Sequence, residues 1–194
     1  MKAVAFCGSP RKGGNTEVML GRCAKGLEAA GIETDLILLA GKTIEPCTAC
    51  SKCKEKKDLK CSIRRDDFHG CFEKMLAADI ILVGSPVYFG SATPQTMALL
   101  DRAGYVARAN GNPLSRKLGG PVAVARRAGQ NFTLAQLLYW YLINDMVVVG
   151  STYWNMAIGR DLADVEADDE GLATLDHFVE NLVWAAEKLA GRPA

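Results

Sequence analysis

The chain has 194 residues, 49% of them hydrophobic and 23% charged, which suits one packed α/β domain or one domain with an insertion and excludes a disordered chain. A formal net charge of +1 gives nucleic acid and anionic membranes no electrostatic hold. The opening residues 1–8 carry too short an apolar run for a signal peptide, and no segment approaches the roughly 20 apolar residues of a bilayer span, so a cytoplasmic protein is expected.

Residues 2–7 (KAVAFC) read as a short buried strand, and 8–15 (GSPRKGGN) as a loop rich in turn residues. Leu20, Cys23, Ala24, Leu27 and Ala30 then fall on one helical face, ended by Gly31, since glycine takes the left-handed conformation without strain. Residues 34–39 (TDLILL) read as the second strand. Residues 42–65 break the pattern: they are polar, rich in lysine and hold four cysteines. Asp66 or Asp67 caps the next helix, which runs to about Ala77. Residues 79–84 (DIILVG) are apolar without alternation, as in a central parallel strand covered on both faces. A second loop (85–91) follows, then a helix from about Pro94 to Ala103 and a longer basic connection over 104–118. Strand four covers 121–125 and a third loop 126–131. The helix over 131–146 is apolar on most sides, strand five starts at 147–149, and a last helix near 168–190 carries Leu172, Leu175, Phe178, Val179, Leu182, Ala186 and Leu189 on one stripe. Five strands alternating with helices predict an α/β fold: a doubly wound, five-stranded parallel sheet in a single domain over 1–194, with residues 42–65 as a cysteine-rich insertion after strand two.

The first loop, Gly8 to Thr16, joins the first strand to the first helix, where backbone N–H groups and the helix dipole converge. Ser9, Thr16 and Asn15 offer polar side chains, Arg11 adds charge, and Gly14 lets the backbone approach a ligand closely. The loop fits neither G-x-G-x-x-G nor a Walker loop, which favours a monophosphate; a plain turn capped at Asn15 or Thr16 is the structural alternative. In the second loop Pro86, Val87, Tyr88, Phe89 and Gly90 lie where open α/β sheets bind ligands, with two aromatics to stack on a planar heterocycle. Cover for the sheet edge is the competing reading. Arg126 in the third loop is placed to flank the same ring, or is a surface charge.

Cys47-x2-Cys50-x2-Cys53-x7-Cys61 is the sharpest chemical signal. Two successive C-x2-C steps supply three thiolates from one tight loop and a fourth closes from further along, which suits a 4Fe–4S cluster. Zinc is the rival, although structural zinc sites usually come as two separated cysteine pairs. Four idle thiols are the remaining reading. Cys7 and Cys23 read as small core residues, and His69 and His177 as incidental. The positive excess around the motif offsets an anionic cluster and attracts an acidic electron-transfer partner.

The string Gly8-Ser9-Pro10-Arg11 with Gly14-Asn15-Thr16, then Ser85-Pro86-Val87-Tyr88-Phe89 and Asp101-Arg102, resembles the NADPH-dependent FMN reductase family, and more narrowly its iron–sulfur flavoproteins. The resemblance implies a flavodoxin-like fold and an FMN-dependent oxidoreductase exchanging electrons between a reduced donor and an acceptor. It implies that Ser9, Arg11, Asn15 and Thr16 hold the FMN phosphate, that Pro86 to Gly90 line the isoalloxazine, and that Cys47, Cys50, Cys53 and Cys61 hold the cluster. It also implies a homodimer or homotetramer with flavin near a subunit boundary, where Tyr139 and Trp140 are either interface or core residues. NAD(P)H is a candidate donor, and a ferredoxin-like protein a candidate redox partner. The alternatives are an NAD(P)H-dependent FMN or quinone reductase without a functional cluster, and a non-enzymatic flavin-binding or metal-sensing module. No residue is assigned a catalytic role.

Overall fold

Short runs of small and branched apolar residues, each followed by a glycine- or proline-containing loop, set the architecture. The computed structural model describes residues 1–190. In chain order the strands are β1 (Lys2–Cys7), β2 (Glu33–Leu38), β3 (Ile80–Pro86), β4 (Leu118–Ala125), β5 (Val147–Val148) and β6 (Met156–Ile158). The helices are α1 (Asn15–Ala29), α2 (Lys52–Lys56), α3 (Phe68–Ala77), α4 (Pro94–Ala109), α5 (Gln130–Ile143) and α6 (Asp169–Leu189), with a 3-10 turn at Asp164–Ala167 before the last. The sheet runs β2-β1-β3-β4-β5 and every pairing is parallel. β6 also pairs with β4, at the carboxyl end of that strand, while β5 pairs at its amino end. The fifth strand is therefore one edge position interrupted by residues 149–155.

Two cores follow from a sheet covered on both faces. On one side Met19, Leu20, Cys23 and Leu27 of α1 and Leu175, Phe178 and Leu182 of α6 pack on Ala3, Ala5, Leu82 and Val122. On the other, Phe72 and Met75 of α3, Leu99 and Ala103 of α4, and Leu137 and Tyr141 of α5 pack on Val4, Phe6, Ile81 and Val83. Cys7, Cys23 and Cys71 are all buried. At the end of α1, Gly31 takes φ +80° while its amide and that of Ile32 close back on Glu28 and Leu27, the paired bonds of a glycine helix stop.

Two expected helix ends need correction. The helix begun at Pro94 does not stop near Ala103 but continues to Ala109. Gly104 lies inside it, because a Cβ there would come within 3.3 Å of the Trp140 indole nitrogen; the glycine lets α4 and α5 approach. α5 ends at Ile143, earlier than 146. Trp140 is a core residue whose indole N–H donates to Leu100 O at 2.7 Å, whereas Tyr139 is exposed. Of the two expected caps of α3, Asp66 serves: its Oδ1 accepts from Phe68 N at 3.3 Å while its carboxylate also meets Arg102, and Asp67, the residue before the helix, makes no side-chain capping bond. Among the described residues no helix is long and apolar enough to cross a membrane.

Candidate active site

The carboxyl ends of β1, β3 and β4 bring the three loops to one edge of the sheet. A buried hydroxyl network joins the first two. Thr93 Oγ1 donates to Gly8 O at 2.8 Å and lies 2.8 Å from Thr96 Oγ1, while Ser85 Oγ accepts from the Thr93 amide at 3.0 Å. Ser85, Thr93 and Thr96 have no solvent exposure. Gly8 is required there, since a Cβ would fall 1.9 Å from Thr96 Oγ1.

The residue before α1 is Gly14, which supplies no capping side chain. The amides of Asn15 and Thr16, in the first helical turn, donate to no acceptor among the described residues, and a helix opening in this way presents N–H groups and a positive dipole end to an anion. Ser9 is buried and its Oγ accepts from the Arg11 amide at 3.1 Å. Thr16 is buried; Arg11 is exposed and reaches Arg160 O at 3.4 Å. Asn15 is placed differently from the other three. Its side-chain amide donates to Asp161 O at 2.8 Å and accepts from Val165 N at 3.4 Å, which fastens the loop after β6 over the first loop.

In the second loop Pro86 closes β3 and the Val87 amide is spent on Val124 O. Tyr88 and Ser91 exchange both backbone bonds, leaving Phe89 and Gly90 as a two-residue turn with φ +52° and +79°. Left-handed backbone is costly for phenylalanine, and Phe89 stands fully exposed at the tip. Gln136 of α5 steadies this loop: its Oε1 accepts from Ser91 Oγ at 3.0 Å and Ala92 N at 2.8 Å. The third loop packs on the second at Gly129, where a Cβ would meet Val87 Cγ1 at 3.0 Å. Arg126 is exposed and lines a groove with Gly159, Arg160 and Asp164.

The cysteine-rich segment has little structure of its own beyond the five residues of α2. Ala49, Ser51, Lys57 and Leu59 all have positive φ, so the chain turns sharply four times in eleven residues. Cys47, Cys50, Cys53 and Cys61 line one cavity together with Arg102 and Tyr105 of α4. Cys47, Cys53 and Cys61 are half-buried and Cys50 is exposed. Among the described residues no group of three or more cysteine, histidine or acidic side chains closes on the position of a single ion. The scaffold grips the segment through its backbone. Asn110 accepts from Leu59 N at 3.0 Å and donates to Cys53 O at 3.4 Å. His69 Nε2 lies 3.1 Å from Cys61 O and 3.2 Å from Ile63 O; two carbonyl partners require that nitrogen to carry the proton. His69 is therefore not incidental, whereas His177 pairs on the surface with Glu180.

The model of the family described as NADPH-dependent FMN reductase matches residues 1–161. The chain belongs to that family. Relatives of this FMN reductase family member include an iron–sulfur flavoprotein of Methanocaldococcus jannaschii, 39% identical over 181 residues that cover 90% of this chain and 91% of the relative. A second, from Methanosarcina thermophila, is 34% identical over 190 residues, covering 94% and 93%. Among solved structures, RosB with bound 8-demethyl-8-formylriboflavin-5'-phosphate superposes with a TM-score of 0.79 at 18% identity, over all of this chain and 82% of that one. The flavodoxin, WrbA-like protein of Agrobacterium tumefaciens gives 0.64 at 17%, over 96% and 97%. The fold is flavodoxin-like, and the chain is an FMN-dependent redox protein and a flavin-dependent oxidoreductase.

Environment separates the thiols of this FMN reductase family member. Burial pushes Cys7 up to about 11 and Cys23 up to about 12, so both stay protonated and inert. Cys50 moves the other way: the Ser62 hydroxyl at 3.1 Å, then the Lys52 amide, stabilise its thiolate. Cys53 is raised by burial, to which the charges of Cys61 and Cys47 add. Lys52, Lys54, Lys56, Lys57, Lys60, Arg64 and Arg65, in or next to the cysteine-rich segment, are exposed and join no ion pair among the described residues. Sequence reasoning missed Asn110, Gln136 and the hydroxyls of Ser85, Thr93 and Thr96. Most of their partners are groups brought near by the fold, for which no short motif exists; Thr93 alone had a local signal, a threonine before Pro94 whose hydroxyl caps α4 by accepting from Thr96 N at 3.4 Å.

Proposed function

We propose that this chain is a two-centre electron-transfer flavoprotein, with FMN at the three loops and a 4Fe–4S cluster on Cys47, Cys50, Cys53 and Cys61. The observation that carries the reading is the meeting of all four thiols of the motif at one cavity, within a segment rich in exposed lysines. Four soft thiolate donors suit an iron–sulfur cluster, and the names of the relatives agree. FMN supplies both two-electron and one-electron exchange, and the cluster one-electron exchange, so that together they connect two-electron and one-electron partners.

The chain's own residues bind and orient. The amides of Asn15 and Thr16, with Ser9, Gly14 and the Arg11 charge, take the FMN phosphate. Pro86, Val87, Tyr88, Phe89 and Gly90 hold the ring, with amides at Phe89 and Gly90 that find no acceptor among the described residues turned to its edge, and Arg126 flanks it. Asn15 acts chiefly by fastening the loop at 161–165 across the site. One flavodoxin-like domain carries both centres, residues 42–65 being its cluster-binding insertion. The protein works in the cytoplasm as a homodimer or homotetramer; Phe132, Tyr139, Leu142 and Ile143 of α5 offer the exposed apolar surface such an interface uses. NAD(P)H or a ferredoxin-like protein supplies electrons.

Anaerobic purification followed by metal and sulfide analysis tests the reading. The expected result is one FMN with iron and acid-labile sulfide in equal amounts, about four of each per chain. Zinc in place of iron, or neither, overturns it in favour of a reductase without a cluster. Cys50→Ala should lose iron and keep FMN, and Arg11→Ala should weaken FMN and keep iron.

A further inference from the structure

The cavity of the four cysteines holds one charged group that none of the roles above uses. Arg102 is 1% exposed, and neither its side chain nor that of Asp66, its ion-pair partner, has any solvent exposure. Burying such a pair demands that every hydrogen-bonding position be well used. Arginine has five N–H donors in a fixed fork. Nη1 donates to Glu45 O at 3.1 Å and to the Asp66 carboxylate. Nη2 donates to Ile63 O at 3.1 Å and to the other Asp66 oxygen at 3.4 Å. Glu45 precedes Cys47 by two residues and Ile63 follows Cys61 by two, so one guanidinium holds both ends of the cysteine motif. Its Cζ lies over the Phe68 ring, 4.0 Å from the ring centre. The fifth donor, Nε–H, is buried with no acceptor among the described residues, and Arg102 lines the same cavity as the four thiols. Buried donors in native structures are almost always paired, and an unpaired one on a charged group is the costliest kind.

We propose that Arg102 is a positioning residue for the group bound by Cys47, Cys50, Cys53 and Cys61, and that its Nε–H donates a hydrogen bond to a sulfur of that group. The inference rests on the cluster reading above. Reduction adds one negative charge to an already anionic thiolate-ligated cluster, so a fixed cationic donor stabilises the reduced form more and raises the potential. Lysine cannot substitute, because a single ammonium cannot hold two carbonyls and a carboxylate while directing another donor at the cavity.

The test uses the full chain, reconstituted anaerobically with iron, sulfide and FMN. In Arg102→Lys and Arg102→Gln the cluster should become harder to reduce by about tenfold, about 59 mV for one electron, while the FMN potential stays unchanged. A variant that keeps its cluster at the wild-type potential overturns the role of Arg102. Wild-type chain that takes up no iron or sulfide overturns the cluster reading itself, which is a separate failure. Should the variants lose the cluster, pulsed EPR of the reduced wild-type protein labelled with 15Nε-arginine decides the matter. A 15N coupling is expected, and its absence overturns the hydrogen bond.

Discussion

Gly8 shows how a single hydrogen atom holds two loops together. Its carbonyl accepts from Thr93 and its Cα faces Thr96 Oγ1 too closely for any side chain. Gly8→Ala must push the buried hydroxyls apart. We expect a loss of about 1–3 kcal/mol in urea unfolding, the usual cost of overpacking, together with weaker FMN binding in a fluorescence titration. The cysteines give a second prediction. With Cys7 and Cys23 pushed up to about 11 and about 12 by burial, and Cys50 exposed with its thiolate favoured, iodoacetamide at pH 8 should label Cys50 in the metal-free chain and leave the other two untouched until urea unfolds it. Peptide mapping by mass spectrometry reads the order; early labelling of Cys23 would contradict the burial. At this scale the cysteine motif was legible because thiolate chemistry is written in residue type and spacing. Arg102 and His69 were not, because each acts on backbone carbonyls whose positions only the folded chain supplies.

Loops at an α/β sheet edge are shaped by the helices packed beneath them, and α5 does this for the second loop. Gln136 holds the Ser91 hydroxyl and the Ala92 amide with one oxygen. Gln136→Ala removes both bonds and frees the turn carrying Tyr88 and Phe89. Stability should fall by about 1 kcal/mol, while FMN affinity drops more than that loss alone explains. Equal wild-type affinity in a dissociation titration would show that the turn holds its shape without α5. The helix boundaries carry a related lesson. Gly104 reads as a breaker by composition, yet it lies buried inside α4 because Trp140 needs the space. A glycine that ends a helix and one that admits a neighbouring helix look alike in sequence; only the partner distinguishes them. The apolar pattern of the last helix, by contrast, needed no partner to be read, since seven residues on one stripe leave one way to face a sheet.

Across the whole molecule the Arg102–Asp66 pair ties α4 to the loop before α3, and so ties the sheet scaffold to the cysteine-rich segment. Burial alone would raise the Asp66 carboxyl, but the Arg102 hydrogen bonds and the amides of Glu45 and Phe68 outweigh it and hold it below the ordinary value. A lowered folded-state value contributes stability above the unfolded carboxylate's value, about 3.9, and that contribution is lost as pH falls through the folded value. Urea midpoints should therefore decline below about pH 4. Asp66→Asn should flatten that decline and cost about 3 kcal/mol at pH 7, since it leaves a buried guanidinium uncompensated. An unchanged acid slope in the variant would assign the decline to other carboxylates.

Alternating strand and helix patterns and a loop that opens the first helix with Gly14 were sufficient by themselves for the doubly wound sheet and the edge where its loops gather, and the Cys47-x2-Cys50-x2-Cys53-x7-Cys61 spacing for the proposal of a cluster. Each is local, with the period, the turn and the donor all lying within a dozen or so residues. Tertiary structure alone decided that Asn15 ties down the loop at 161–165, that the fifth strand is split into β5 and β6, and that Arg102 clasps the cysteine segment. Those are contacts between residues up to 150 positions apart, and a pairing across that distance exists only once the sheet has brought its carboxyl ends together.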